Sequence, residues 1–301
     1  MPLLVTGSIA IDTVTTPYGV SEECLGGSAV YFCMAASFFS PVRLIGAIGA
    51  DCPFHLPDVF KGRDVDLRGL EIRPNSKTFR WKGSYYKTMN EATTDKLELN
   101  VLEEAPPVIP KEFRDSKFIF LANTAPALQM QLLSQIHSPK FVAADTMNCW
   151  INNTRKDLEK LLKKINALII NENEARMLAN EQILIKAADK ILTMGPDVIV
   201  IKKGESGSIL KTKKGDSFIL PAYPATDVKD PTGAGDSFAG ALMGYVSQAK
   251  KVNFEILKTA VAYGTVTASF TISEFSLGGL TSIKRGDIDK RLKVLRKMTS
   301  F

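Results

Sequence analysis

Short apolar runs and longer amphipathic segments alternate along this chain. The apolar runs are rich in β-branched residues and predict buried strands at residues 3–6, 42–48, 118–121, 141–144, 167–170 and 198–201. Helical periodicity predicts helices between them, at residues 28–39, 127–136, 153–164, 172–179 and 183–192. This alternation indicates an α/β fold, in which a central, mostly parallel sheet is flanked by helices on both faces.

The pattern changes between residues 75 and 100, where aromatic and polar residues alternate around Trp81 and a second alternation follows at residues 96–99. We interpret these as two antiparallel strands that project from the main body as a small β lid. A sheet edge or a dimer contact is an equally open interpretation.

The last third predicts two further strands, at 208–211 and 217–220, and helices at 235–247, 254–270 and 287–297. Neither a repeat nor a Pro-Gly-Ser linker divides the chain. The sequence therefore predicts one α/β domain over residues 1–301, with a lid inserted at about 75–100 and joined by part of 12–24.

Composition and charge narrow the classes of function. The formal charge is +6, and the lysine pairs at 163–164, 202–203, 213–214 and 250–251 are scattered, so we expect no nucleic-acid binding. The four cysteines have no CxxC spacing. No basic, apolar leader is visible, and the apolar stretch at 29–39 is far shorter than the roughly 20 residues of a membrane span. We expect a cytoplasmic protein that does not enter a membrane.

The most informative segment is residues 230–240, which run Asp-Pro-Thr-Gly-Ala-Gly-Asp-Ser-Phe-Ala-Gly into a predicted helix. Backbone N–H groups of Gly233, Ala234 and Gly235 can approach an anion closely, and the positive end of the helix faces the same place. Asp236 is then placed to accept a proton from an attacking hydroxyl. The alternative is that the glycines only turn the chain and Asp236 only complements the helix dipole.

These eleven residues resemble the second signature of the PfkB carbohydrate kinase family, the ribokinase-like kinases, and the similarity extends over nearly the whole chain. The resemblance implies a ribokinase-like fold and a phosphotransferase with an alcohol acceptor, using ATP and Mg²⁺. It also implies a substrate site at which Asp12 ends the first strand and holds sugar hydroxyls. The implied substrate-binding residues are Asp12, Gly26, Gly27, Tyr31 and Trp81, and Tyr31 stands where many relatives carry Asn.

The nucleotide site follows from the same resemblance. Asn171 and Glu174 fit the family's Asn-x-x-Glu, which organises Mg²⁺ largely through water, although such residues at a helix start are also typical capping groups. The residues implied to bind ATP are Asn171, Lys202, Gly204, Gly207 and Tyr263.

Several other classes are excluded directly. The chain contains no P-loop, no protein-kinase catalytic motif and no Gly-x-Gly-x-x-Gly spacing at 233, 235 and 240. Its two histidines, His55 and His137, make histidine-rich zinc sites and Ser-His-Asp catalysis poor interpretations.

The sequence therefore predicts ATP-dependent phosphorylation of a hydroxyl of a small sugar or sugar-like substrate, with Asp236 as the general base. The aromatic lid leaves a nucleoside kinase open, and Tyr31 in place of Asn leaves a cyclitol kinase open. A sugar-binding regulator without turnover is the alternative from another class. The resemblance also leaves open a homodimer formed through the lid and a monovalent cation near Asp230.

Overall fold

Thirteen strands form two separate sheets in this computed structural model, which describes residues 1–86 and 89–300. The predicted lid range 75–100 and the predicted domain 1–301 include residues 87, 88 and 301, which lie outside the described residues. The strands are β1 (Leu3–Thr6), β2 (Ala10–Thr16), β3 (Gly19–Gly26), β4 (Val42–Gly49), β5 (Val65–Arg73), β6 (Phe79–Ser84), β7 (Thr93–Glu98), β8 (Phe118–Leu121), β9 (Phe141–Ala144), β10 (Ala167–Asn171), β11 (Val198–Lys202), β12 (Ser208–Thr212) and β13 (Ser217–Leu220).

The main sheet has nine strands in the order β13-β12-β11-β10-β9-β8-β1-β4-β5. Every neighbouring pair from β5 to β11 is parallel, whereas β11, β12 and β13 pair antiparallel. The predicted mostly parallel sheet is confirmed. Because parallel strands end at the same edge, the loops that follow β1, β8, β9, β10 and β11 all open on one side of the sheet.

Helices cover both faces of this sheet, and the central strands β1, β8 and β9 are accordingly buried at every position. In β1, Leu3 and Val5 join one apolar core and Leu4 joins the other. The helices are α1 (Ser28–Ala36), α2 (Leu56–Val59), α3 (Pro126–Ser134), α4 (Asn148–Asn153), α5 (Arg155–Leu162), α6 (Glu172–Ala179), α7 (Leu184–Thr193), α8 (Ala234–Val246), α9 (Phe254–Thr271), α10 (Gly278–Thr281) and α11 (Arg285–Thr299). The core that contains Leu3 lies under α1, α8, α9 and α11, and the core that contains Leu4 lies under α3 to α7.

The lid is a four-stranded sheet in the order β3-β2-β6-β7. The predicted antiparallel pair within 75–100 is present as β6 and β7, and β2 pairs parallel with β6. The expectation that the first strand runs on to Asp12 is wrong. The chain leaves the main sheet after Thr6, and Asp12 lies inside β2 of the lid, opposite Cys24 of β3.

The length and apolar character of the helices test whether any of them could span a membrane. Within residues 1–86 and 89–300, no helix combines the length and the apolar character that crossing a bilayer requires.

Candidate active site

Helix α8 begins at a tight turn on the open edge of the main sheet. Gly233 adopts φ +73°, a left-handed conformation that favours glycine. The carboxylate of Asp230 accepts the N–H of Thr232 at 2.8 Å, which orders the turn. The N–H of Ala234 donates to the carbonyl of Pro231 at 3.1 Å. In this conformation Ala234 is therefore not a free donor, and its anion-binding role stays a prediction that requires this bond to open.

The N–H groups of Gly233 and Gly235 differ from that of Ala234. Among the described residues, neither N–H donates to an acceptor within the chain. Both lie at the positive end of α8, where backbone N–H groups bind anions. These two amides are thus available as donors at this turn, and their binding of an anion stays a prediction.

Lys202, the last residue of β11, reaches the same turn. A Cβ built on Gly235 would lie 2.8 Å from the Lys202 ammonium nitrogen, so this ammonium group lies directly against the turn. Asp236 follows in the first turn of α8, and burial raises its pKa to about 6 although the positive charge of Lys202 lowers it. A carboxylate with such a pKa is suited to accept a proton near neutral pH.

Asp145 adds a second acid to this edge, and sequence reasoning missed it. It follows β9 directly and is only 6% exposed, and its Oδ1 has no hydrogen-bond partner among the described residues. Burial raises its pKa well above the ordinary value, the charge of Asp236 raises it further, and Lys202 opposes both. The signal was present in the sequence, since an acid directly after a buried parallel strand lies at the ligand-binding edge.

Asn171 and Glu174 form a capping box at the start of α6. The N–H of Glu174 donates to Asn171 Oδ1 at 2.8 Å, and the N–H of Asn171 donates to Glu174 Oε2 at 2.8 Å. The capping interpretation is therefore realised. Burial raises the pKa of Glu174, while Lys202 lowers it, so this carboxylate also belongs to the charged edge around Lys202.

Asp145 and Glu174 fit the chemistry of a magnesium site. Mg²⁺ prefers oxygen ligands, keeps several waters and is usually held by one or two carboxylates together with substrate phosphates. In the described part of the chain, no three His, Cys, Asp or Glu side chains converge on one metal position. The unpartnered Oδ1 of Asp145 and the Glu174 carboxylate thus suit an ion that phosphate and water complete, and Asn171 is occupied by capping.

Asp12 approaches the cleft from the lid. The carboxylate is 4% exposed, and its Oδ1 has no partner among the described residues. Burial and then the charge of Asp230 raise its pKa to about 8, whereas the backbone of Gly27 lowers it by hydrogen bonding and Asp236 raises it. A Cβ on Gly26 would overlap the Asp12 carboxylate, so Gly26 leaves the space that this side chain occupies.

Tyr31 lies beneath the turn at Gly233 instead of facing open solvent. Its side chain is buried, and a Cβ on Gly233 would overlap the phenol ring. The hydroxyl has no hydrogen-bond partner among the described residues, and burial and then Asp12 raise the pKa of the phenol. Tyr31 thus connects the neighbourhood of Asp12 with the turn at Gly233.

One row of side chains crosses the lid on the face that carries Asp12. The strand registers place Cys24, Asp12, Trp81 and Leu97 opposite one another, and directly opposed residues share a face. The indole of Trp81 lies over Gly83, where a Cβ would overlap the ring, and its Nε1 donates to Thr94 Oγ1 at 3.1 Å. Trp81 is therefore paired with Asp12 across the lid, with its indole directed toward Gly83 and Thr94.

The remaining predicted ATP-binding residues divide into two groups. Gly204 (φ +53°) and Gly207 (φ +86°) shape the turn after β11, beside Lys202. Tyr263 is not brought to this edge, because its hydroxyl donates to Asp289 at 2.9 Å and its ring packs against Phe39 and Tyr245. The structure offers no support for contact between Tyr263 and a nucleotide.

The family model for the pfkB family of carbohydrate kinases matches residues 5–283, which is nearly the whole chain. This chain belongs to the pfkB family. The protein is accordingly a kinase that transfers a phosphoryl group to a hydroxyl. Within this pfkB kinase, Asp236 lies near enough to the lid acid Asp12 for its charge to raise the pKa of Asp12.

Among curated proteins, the chain is similar to a cytidine kinase of Thermococcus kodakarensis. The two are 28% identical over 252 residues, which cover 81% of this pfkB kinase and 88% of the relative. The chain thus spans most of the length of that relative.

Solved structures share the fold. The nucleoside kinase of Methanocaldococcus jannaschii superposes with a TM-score of 0.77 at 19% identity, covering 97% of this chain and 98% of that one. The ribokinase of Cryptococcus neoformans in complex with ADP superposes with a TM-score of 0.78 at 21% identity, covering 96% and 99%. The predicted ribokinase-like fold is confirmed.

Proposed function

We propose that this kinase phosphorylates a ribosyl hydroxyl of a nucleoside with ATP. The observation that carries the proposal is the shared lid face of Asp12 and Trp81, which offers a carboxyl for sugar hydroxyls next to an aromatic surface for a planar base. Similarity to a cytidine kinase along 88% of that protein supports a nucleoside over a free sugar or a cyclitol. In this proposal, the sugar that the sequence predicts as the acceptor is the ribose of a nucleoside.

Asp12 orients the acceptor. With a pKa of about 8, its carboxyl is mostly protonated at neutral pH before substrate binds, and a neutral carboxyl both donates and accepts hydrogen bonds. Paired sugar hydroxyls present both functions. Gly26 keeps the space around this carboxyl open.

Proton removal and charge stabilisation follow at α8. Asp236 accepts the proton of the acceptor hydroxyl, whose oxygen then attacks the terminal phosphorus of ATP in line. The free N–H groups of Gly233 and Gly235 and the ammonium of Lys202 stabilise the negative charge on the transferring group. Asp145 and Glu174 would hold Mg²⁺, and the bound ion would supply neutralisation of phosphate charge.

The substrate class is tested by measuring ADP release over matched panels of nucleosides, free sugars and cyclitols. We expect turnover with nucleosides, with the highest kcat/KM for a pyrimidine nucleoside, because the similar protein of Thermococcus kodakarensis is a cytidine kinase. Turnover with free sugars alone removes the role of Trp81. Binding without ADP release favours the non-catalytic regulator.

The Asp236→Asn variant is the control for that assay. Because the amide cannot accept the proton, kcat should fall by a factor on the order of 10² to 10⁴. ATP should still bind, and calorimetry measures that binding. Near-normal turnover in this variant removes Asp236 from the role of general base.

The predicted homodimer through the lid remains a separate proposal. The lid face opposite Asp12 carries four charged residues, Arg80, Lys82, Lys96 and Glu98. Charged side chains are hydrated more readily than they are buried, so this face is poorly suited to an apolar dimer interface. Sedimentation of the wild-type protein tests it, and a monomer at micromolar concentration removes the dimer.

A further inference from the structure

Tyr85 ties the lid to the turn that begins α8. It follows β6 directly, is 7% exposed, and its N–H donates to the carbonyl of Thr15 in β2 at 2.9 Å. Its hydroxyl lies 3.2 Å from the hydroxyl of Thr232, within hydrogen-bonding distance. The phenol therefore links a lid residue to the residue that immediately precedes Gly233.

The turn is thereby held on two sides. The ring of Tyr31 fills the space under Gly233 from the core, and Tyr85 meets Thr232 from the lid. The backbone of Thr232 is fixed separately, because its N–H donates to Asp230. Removing the phenol hydroxyl would leave that internal bond in place and release only the connection to the lid.

The other end of the β6 to β7 connection contacts the loops that follow β10 and β11. Asn90 donates to Glu205 at 3.4 Å, and its side-chain oxygen occupies the space that a Cβ on Gly204 would fill. Glu91 accepts a hydrogen bond from the side chain of Asn173, in the first turn of α6. One lid connection thus contacts the loops after β10 and β11 as well as the turn before α8.

We propose that Tyr85 is a positioning residue that couples the acceptor-binding lid to the anion-binding turn. This proposal rests on the proposed kinase function. The hydroxyl pair holds the N–H groups of Gly233 and Gly235 in place when the lid covers the cleft. A residue that only packed the lid would act through its ring, whereas this role requires the hydroxyl.

The test compares Tyr85→Phe with Tyr18→Phe, which removes a hydroxyl from a lid tyrosine that is 65% exposed. One net hydrogen bond corresponds to a change of about two- to tenfold in kcat, so we expect that loss in Tyr85→Phe with KM for the acceptor nearly unchanged. Tyr18→Phe should match the wild type. Thr232→Val should lose as much as Tyr85→Phe, and the double variant no more than either one.

Hydrogen exchange of the amides at residues 232–235 gives a second readout that needs no turnover. We expect faster exchange in Tyr85→Phe than in the wild type, with Tyr18→Phe unchanged. Unchanged exchange, additive losses in the double variant, or a loss confined to KM would each overturn the proposal. If the wild-type protein phosphorylates no acceptor, the proposed function fails, and amide exchange alone decides the role of Tyr85.

Discussion

The ring of Tyr31 packs directly against Gly233, leaving no room for a side chain at the residue that opens α8. Gly233 also holds φ +73°, which an L residue with a Cβ adopts only at a cost. Two residues that are far apart in the sequence therefore fix one backbone turn. The positions of the Gly233 and Gly235 amides depend on that contact.

Gly233→Ala should accordingly abolish most activity. The added methyl group collides with Tyr31 and strains the backbone, which should destabilise the protein by about 1–3 kcal/mol. Displacing an anion-binding N–H should reduce kcat by a factor on the order of 10². The measurements are thermal unfolding and steady-state kinetics. Gly286→Ala is the matched control, because a Cβ at Gly286 meets nothing within 4 Å, and wild-type kcat in Gly233→Ala would contradict the assignment.

Activity should rise with pH through about 6. Burial raises the pKa of Asp236 to about 6, and only the deprotonated carboxylate accepts a proton, so kcat/KM is low below that pH and reaches a plateau above it. Lys202→Met removes the positive charge that lowers this pKa, so the rise should move to higher pH at saturating ATP. The neighbouring Lys203→Met is the control. A profile that stays in place in Lys202→Met would separate Lys202 from Asp236.

Stability without ligands should fall as pH rises toward 8. The pKa of Asp12 is about 8 in the folded chain against an ordinary 3.8, so the folded state binds this proton more tightly. Its contribution is complete below pH 3.8 and is lost through about 8, on the order of 1.4 kcal/mol for each pKa unit. Asp12→Asn should flatten the decline between pH 5 and 8 in urea denaturation. An equally steep decline in the variant would show that Asp12 is not the group responsible.

Metal binding should weaken when either buried acid at the edge is neutralised. Asp145→Asn or Glu174→Gln should raise the divalent-cation concentration for half-maximal activity by about 10- to 100-fold. Binding of Mn²⁺ in the presence of ATP, followed by its paramagnetic resonance signal, checks this without turnover. Asp157→Asn alters an acid that pairs with Lys160 on α5, and it should leave metal binding unchanged. Wild-type affinity in both test variants would exclude these acids as magnesium residues.

The main sheet was predictable because its strands are short apolar runs with few competing interpretations. Residues 3–6, 118–121 and 141–144 were predicted with their observed bounds. β5 (Val65–Arg73) was missed, since charged residues alternate along it and Gly69 interrupts it, as befits an edge strand of the main sheet.

The apolar run 3–6 predicted the end of β1, but the placement of Asp12 in a strand of the second sheet could not be deduced from local sequence. The run from Val5 to Asp12 is largely apolar, but Ser8 and Ser28 exchange hydrogen bonds of 3.1 and 3.0 Å between backbone N–H and hydroxyl groups. These contacts join residues 20 positions apart and end the first strand. Only the folded chain reveals them.

The candidate site was likewise predicted from the sequence only in part. The turn at Gly233 and the acid Asp236 were visible because the motif is contiguous in sequence. The contact between Tyr85 and Thr232 joins residues 147 positions apart, and no local pattern marks it. Tyr263 was assigned to the nucleotide only through the family resemblance, whereas in the structure its hydroxyl donates to Asp289.

The early departure of the chain from the main sheet has a mechanical consequence. Asp12 belongs to the lid sheet and Asp236 to a helix of the main body, so in the proposed reaction one part of the fold binds the acceptor and the other deprotonates it. An acceptor long enough to contact both Asp12 and Asp236 would fix the distance between the lid and α8. A truncated acceptor that contacts only one of these residues would leave that distance variable, so it should lose turnover even where it still binds.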